Sequence, residues 1–189
     1  MGWKNWFGGK SDSEEDEQEL DLAIDLVAIG GSPENAHLFI EVPEEDILRA
    51  LDGWRWLPLS GLTAIAVSAF GEVFFRDVVG VIHQIDTIDG KLSKAANSLA
   101  ELTVRLQEVE ARDSMLFEAL VIGARNRGLI LESGECYDFR IAPVFGGTMN
   151  VAEMHKLSFV VKLHIAGQLH EQVRGLPPGT PISEITISD

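Results

Sequence analysis

The strongest constraint on this chain is an apolar stretch cut by glycines, WRWLPLSGLTAIAVSAFGEVFF at residues 54–75. LTAIAVSAF (62–70) is apolar along almost its whole length, as a strand at the centre of a sheet is. Gly71 breaks it. EVFFRD (72–77) and VIHQIDT (81–87) read as its partners, turning near Val79-Gly80. Short turns marked by glycine join antiparallel neighbours, because a parallel pair needs a long crossover. The sequence therefore predicts an antiparallel meander at about 62–70, 72–78 and 80–87.

Helical patterns flank that meander. PEEDILRALDG (43–53) carries Pro43 at its start, Glu44, Glu45 and Asp46 where the dipole favours anions, and Gly53 at its end. KLSKAANSLAELTVRLQEVEARD (91–113) places Leu92, Ala95, Ala96, Leu99, Leu102 and Leu106 at three and four spacing, which predicts a long helix. Asp113 is positioned to cap a following helix that ends near Gly128. Residues 135–150 read as mixed strand and loop. Residues 155–175 read as a last amphipathic element, helical in its second half, and the prolines of 176–182 impose an extended turn. The expected fold class is α+β: an antiparallel sheet (meander near 62–87) covered by helices, in a single domain at 20–189.

The N-terminal residues have a different composition. MGWKNWFGGK is aromatic and basic, and it lacks the apolar core of a signal peptide. SDSEEDEQE (11–19) has six acidic residues in nine, too little apolar surface to order itself. Residues 1–19 are expected to form a flexible aromatic and acidic segment. LDLAIDLVAIG (20–30) fits either a strand or a helix, and periodicity does not separate the two.

Charge narrows the function. Thirty acidic residues against 15 basic ones give a net charge of −15. A nucleic-acid binder needs a basic footprint, which is missing in bulk, and an anionic membrane would repel this chain. A basic protein would be attracted to it. No apolar run reaches the length of a membrane span. Cys136 is the sole cysteine, so no internal disulfide forms, and the expected location is cytoplasmic.

No motif names a chemistry. The five histidines include no His-Glu-x-x-His pair, and His164 and His170 are six apart, off a shared helical face. His83 alternates with Val81 and Ile85 and is expected to pack within the sheet. Cys136 lies among Glu132, Glu135 and Asp138, an electronegative setting that suits an inert buried thiol. Gly146-Gly147 lacks the lysine of a phosphate loop and reads as a turn needing positive φ. Asp86 and Asp89 flank an Asp-Gly turn. The expectation is a protein with no catalytic residues, metal or cofactor.

The order W-x-W-L (54–57), AFGEVFFRD (69–77), VIHQID (81–86), GECYDFRIAPVFGG (134–147) and HIAGQLHEQVRGLPPGTPI (164–182) resembles a known family. It is the domain forming the C-terminal half of immunity proteins that neutralise type VI secretion DNase effectors. The resemblance covers about residues 43–182. It implies a non-catalytic α+β domain that binds a cognate toxin in the cytoplasm of the producing cell. Acidic residues beside aromatics are the candidate contacts: Asp52 with Trp54 and Trp56, Glu72 with Phe74, and Asp138 with Tyr137. The alternative is a small-molecule-binding or regulatory domain, with a pocket formed by Trp54, Trp56, Phe75 and Tyr137.

Overall fold

The computed structural model describes residues 33–177, 179–182 and 184–188. The expectations for residues 1–32 lie outside the described residues. A five-stranded sheet runs in the order of the chain, every pair antiparallel: β1 (Phe39–Ile40), β2 (Leu62–Ser68), β3 (Val73–Asp77), β4 (Ile82–Asp86) and β5 (Lys91–Ala96). The meander expected at 62–87 is present. Its two turns carry Gly71 and Gly80 at φ of 81° and 90°, and Gly90, at 65°, sits in the further turn that adds β5. At Gly80, Asp77 Oδ1 also accepts from the amides of Val79 and Val81, each at 2.9 Å, so the tight turn leaves those donors satisfied.

The sheet is buried on both faces. Ala66, Phe74 and Gln84 stand in register on one face, and Val67, Val73 and Ile85 on the other. The first face packs on α2 (Leu99–Arg105), α3 (Val109–Leu116) and α4 (Glu118–Asn126), through Leu102, Leu106, Leu116 and Val121. The second packs on α1 (Glu44–Ala50) and α5 (Phe159–Val173), through Ile47, Trp54, Phe159 and Leu163. Two-sided cover explains why 62–70 is nearly all apolar. A second, two-stranded sheet, β6 (Glu135–Phe139) with β7 (Met154–Ser158), is fixed beside the first where the Tyr137 amide donates to Ala69 O at 2.8 Å.

Three expectations are corrected. Residues 91–96 are a strand and not the start of a long helix. Lys91, Leu92 and Ser93 pair with Asp86, Ile85 and Gln84, because the β4 edge needs a partner more than this segment needs to be helical. The helix begins after Ser98, whose hydroxyl accepts from the Glu101 amide at 3.2 Å. Glu101 reaches back to the Asn97 amide at 3.2 Å, so S-x-x-E was the true start signal. Secondly, the 43–53 helix does not stop at Gly53, because a 3₁₀ turn carries it through Leu51–Trp54. Thirdly, the helical stretch after 98 is cut in three. Phe117 adopts φ 54°, ψ 43° between α3 and α4, a conformation a bulky residue holds only when its surroundings impose it. Two contacts across the break do so. Arg112 bonds Glu118 at 2.7 Å, and Asp113 Oδ1 accepts from the Ala119 amide at 2.9 Å, close to the capping role expected of it.

Candidate functional site

The residues singled out from the sequence separate into two groups. Trp54, Glu72, Phe74 and Tyr137 are each at most 1 % exposed. They are core residues, closed to a partner while the fold holds. Asp52 is exposed, and Trp56 and Asp138 are half-buried. The aromatic pocket of the alternative reading is not formed either. Trp54 and Phe75 pack on the α1–α5 side of the sheet, and Tyr137 packs on the other side.

Asp52 and Trp56 do meet, in a surface cleft of about 470 Å³ that also takes in Arg55, His164 and Glu171. The α1 helix and the turn after it carry them there. Trp54 anchors that turn, its indole donating to Leu163 O at 2.7 Å, and Trp56 stacks on Trp54 with centroids 5.7 Å apart. The Trp56 indole donates to Gly167 O at 3.1 Å, and the Arg174 guanidinium lies 5.1 Å from its ring. Asp52 pairs with Arg55 at 2.8 Å in the open, where such a pair contributes little. Glu41, Glu44, Glu45 and Leu48, on α1 and just before it, are exposed. The C-terminal segment lies along α5 beside the cleft. Gln168 and Gln172, one helical turn apart, each exchange amide hydrogen bonds with its backbone, at Ser188 and Thr186, over 2.8–3.0 Å.

Beneath the second face lies a buried polar cluster that sequence reasoning missed. Glu72 is 1 % exposed and accepts from Ser68 and, at 2.9 Å, from the Thr87 hydroxyl. The Lys162 ammonium, on α5, donates to Phe70 O and to Thr87 Oγ1 at 3.3 Å. The His170 ring nitrogen Nε2 meets Thr87 O at 3.0 Å, which makes Nε2 the donor. The turn after β2 and two residues of α5 thus converge on Thr87. Burial raises the Glu72 carboxyl pKa, and the nearby Lys162 charge and the hydroxyl bonds oppose it. The available signal was Lys162 itself, a lone cation inside the apolar run FVVKLHIAG.

His170 gives this cluster a pH dependence. Burial lowers its pKa from 6.5, with the Thr87 carbonyl and the Asp86 and Asp89 charges opposing. A depressed folded pKa means that the neutral ring stabilises the fold above pH 6.5, and that this contribution is lost as pH falls through the folded value. Urea midpoints measured from pH 7.5 down to 5.5 should fall, and His170→Gln should flatten that slope. An equal slope in the variant would assign the effect elsewhere.

The histidine and cysteine readings resolve individually. His83 shares its face with Ile85, as expected, but is half-buried rather than core, and its Nε2 meets Asp77 at 3.1 Å. His164 sits at the surface beside Gln168, on a different side of α5 from His170. Gly146 holds φ 84°, the positive-φ turn expected there. Cys136 is buried, and burial pushes its thiol up to about 12, with Asp138, Glu72 and Glu135 adding to the rise. A thiol reagent at pH 8 should leave native protein unmodified and label one thiol per chain in 6 M guanidinium. Rapid labelling of native protein would contradict this burial. Among the described residues, no three or more His, Cys, Asp or Glu side chains are grouped to hold a metal ion. No described helix is long and apolar enough to cross a membrane.

Comparison with known proteins adds what geometry does not. Residues 96–170 match the family described as T6SS immunity protein Tdi1, C-terminal. This is the immunity family that the sequence resembles. The matched segment runs from the end of β5 to His170 in α5, and so includes the helical layer, the small sheet and Lys162. None of the curated proteins matches the chain. The crystal structure of Atu4351 from Agrobacterium tumefaciens shares the fold, with a TM-score of 0.50 and 19% identity over 79% of this chain and 80% of that one. The likeness confirms the α+β class, with an open antiparallel sheet.

Proposed function

We propose that this chain is an immunity protein that binds and occludes a secreted antibacterial toxin of the nuclease class, in the cytoplasm of the cell that makes both. The match of residues 96–170 to the T6SS immunity family carries this reading. A net charge of −15 supports it, because a nuclease presents basic groups to phosphate. The mechanism is non-catalytic. Exposed carboxylates pair with the toxin's cationic groups, and apolar anchors between them exclude water. Of the residues named from the sequence, Asp52, Trp56 and Asp138 remain available for contact. The first two line the α1–α5 cleft with Glu171, and Glu44, Glu45 and the 60 % exposed Leu48 are exposed on α1.

The test is growth of cells in which the toxin encoded beside this gene is induced, with and without this chain. Protection against that toxin and not against unrelated ones is expected. Asp52→Lys with Glu171→Lys should weaken protection while changing the unfolding free energy from urea titration by no more than about 0.5 kcal/mol, as surface changes do. Added salt should slow association more than it speeds dissociation, since steering is screened beyond about 8 Å at physiological ionic strength. Equal growth in both cultures, with no complex on gel filtration, would overturn the reading.

A further inference from the structure

A second cleft, of about 410 Å³, opens between residues 140–145, β7 and α5. Its size is that of small-molecule sites. Ile141, Phe145, Ile165 and Leu169 supply apolar wall, and Ile141 and Phe145 remain 58 % and 39 % exposed. Thr87, Lys162 and His170, from the buried cluster, line it together with the polar residues Asp138, Arg140 and His155.

Two features of that lining are incomplete within the protein. Lys162 is only 4 % exposed, and no carboxylate among the described residues lies within ion-pair distance of it. Its ammonium has three protons, and two are committed, to Phe70 O and Thr87 Oγ1. Glu72 acts on it only from farther off, and its oxygens are already held by Ser68 and Thr87. A buried cation in this position is stabilised by an anion brought to it. Independently, His155 lines the same cleft, and its Nδ1 is buried without a hydrogen-bond partner. Buried polar atoms in folded proteins are almost always paired, so an unpaired one at a cleft marks a place for a ligand.

We propose that this cleft binds a small amphiphilic carboxylate, its anionic head toward Lys162 and its apolar body between Ile141, Phe145 and Leu169. A monoanion fits better than a phosphate dianion, because Lys162 is the one buried cation of a lining that also carries the Asp138 carboxylate, with Arg140 exposed. The site is separate from the Asp52–Trp56 face and does not rest on the immunity reading.

Octanoate, octanol and octylammonium, matched in chain length, separate charge from apolar contact. Titrated calorimetrically into the full chain, octanoate should bind saturably at one site per chain. It should bind about tenfold more tightly than octanol, the difference one charge-assisted hydrogen bond makes. Octylammonium should not bind. Lys162→Met in a Glu72→Gln background leaves no buried charge unpaired, and should remove the preference for octanoate over octanol. Ile141→Asp changes an exposed rim residue and should weaken both. If the double variant does not fold, Ile141→Asp decides: unchanged octanoate binding in it overturns the proposal. Octanoate binding no tighter than octanol, or no saturable binding at all, overturns it equally.

Discussion

Gly167→Ala is expected to destabilise this protein by the upper end of the roughly 1–3 kcal/mol that overpacking costs, or more. Elsewhere the same change within a helix gains up to about 1 kcal/mol, because alanine has less backbone freedom to lose. The sign reverses here because α5 lies directly on the turn at Leu51–Trp54. A Cβ at Gly167 would stand 2.3 Å from Gly53 O and 2.8 Å from Trp54 Cδ1. Reciprocally, a Cβ at Gly53 would stand 2.2 Å from His164 O. The obstacles are chiefly backbone atoms, so no rotamer change relieves them. Relief requires α5 to move off the turn, which breaks the indole bonds from Trp54 to Leu163 O and from Trp56 to Gly167 O. Urea titration should show the loss, and Trp fluorescence should shift red as Trp54 meets water. Gly175→Ala is the control, since a Cβ there meets nothing within 4 Å. Equal midpoints for the two variants would refute the close approach.

Lys162→Met should be comparably damaging for an electrostatic reason. It leaves the Glu72 carboxylate, 1 % exposed, with hydroxyl partners and no cation nearby. Removing one member of a buried charge pair costs about 3–5 kcal/mol. Here the low end is expected, because Lys162 and Glu72 interact without direct contact. The pH dependence follows from the raised Glu72 pKa. A carboxyl with a raised folded pKa contributes stability below its unfolded value of 4.5 that is lost as pH rises through the folded value. Lys162 limits that rise, so the deficit of Lys162→Met should be large at pH 7.5 and should shrink near pH 4.5. Adding Glu72→Gln should recover part of it, giving a coupling energy in a double-mutant cycle. Strict additivity of the two substitutions would show that the charges do not interact.

Legibility of the candidate site followed from how far apart in sequence its parts lie. Acidic residues beside aromatics were read as surface pairs, which presumes that one face of each element is free. Phe74 and Phe75 point to opposite faces, yet both are buried, because helices cover the sheet on each side. No adjacency within EVFFRD carries that information. Asp52 and Trp56 do reach the surface, because they lie in a turn after a short helix whose start and charges are local signals. The Thr87 cluster draws on residues up to 92 positions apart, as in the Lys162 to Phe70 bond, and no spacing rule reaches that far.

The sequence alone determined the meander, because its turns are local. Gly71, Gly80 and Gly90 adopt positive φ that side chains resist, and the apolar runs between them have strand length. It also determined the start of α1, through Pro43 with its acidic followers; the Ser98–Glu101 start of α2 lay hidden inside a segment that reads as one helix from 91. Tertiary structure decided the rest. Residues 91–96 carry a helical spacing but complete the edge of β4, since ladder hydrogen bonds along an otherwise open strand outweigh a weak intrinsic preference. The break at Phe117 was decided the same way, by the Arg112–Glu118 pair and the packing of Phe117 on Phe70, at 5.2 Å between centroids. Propensity and periodicity act over a few residues. The pairing of strand edges and the burial of Lys162 beside Glu72 depend on segments that only the folded chain brings together.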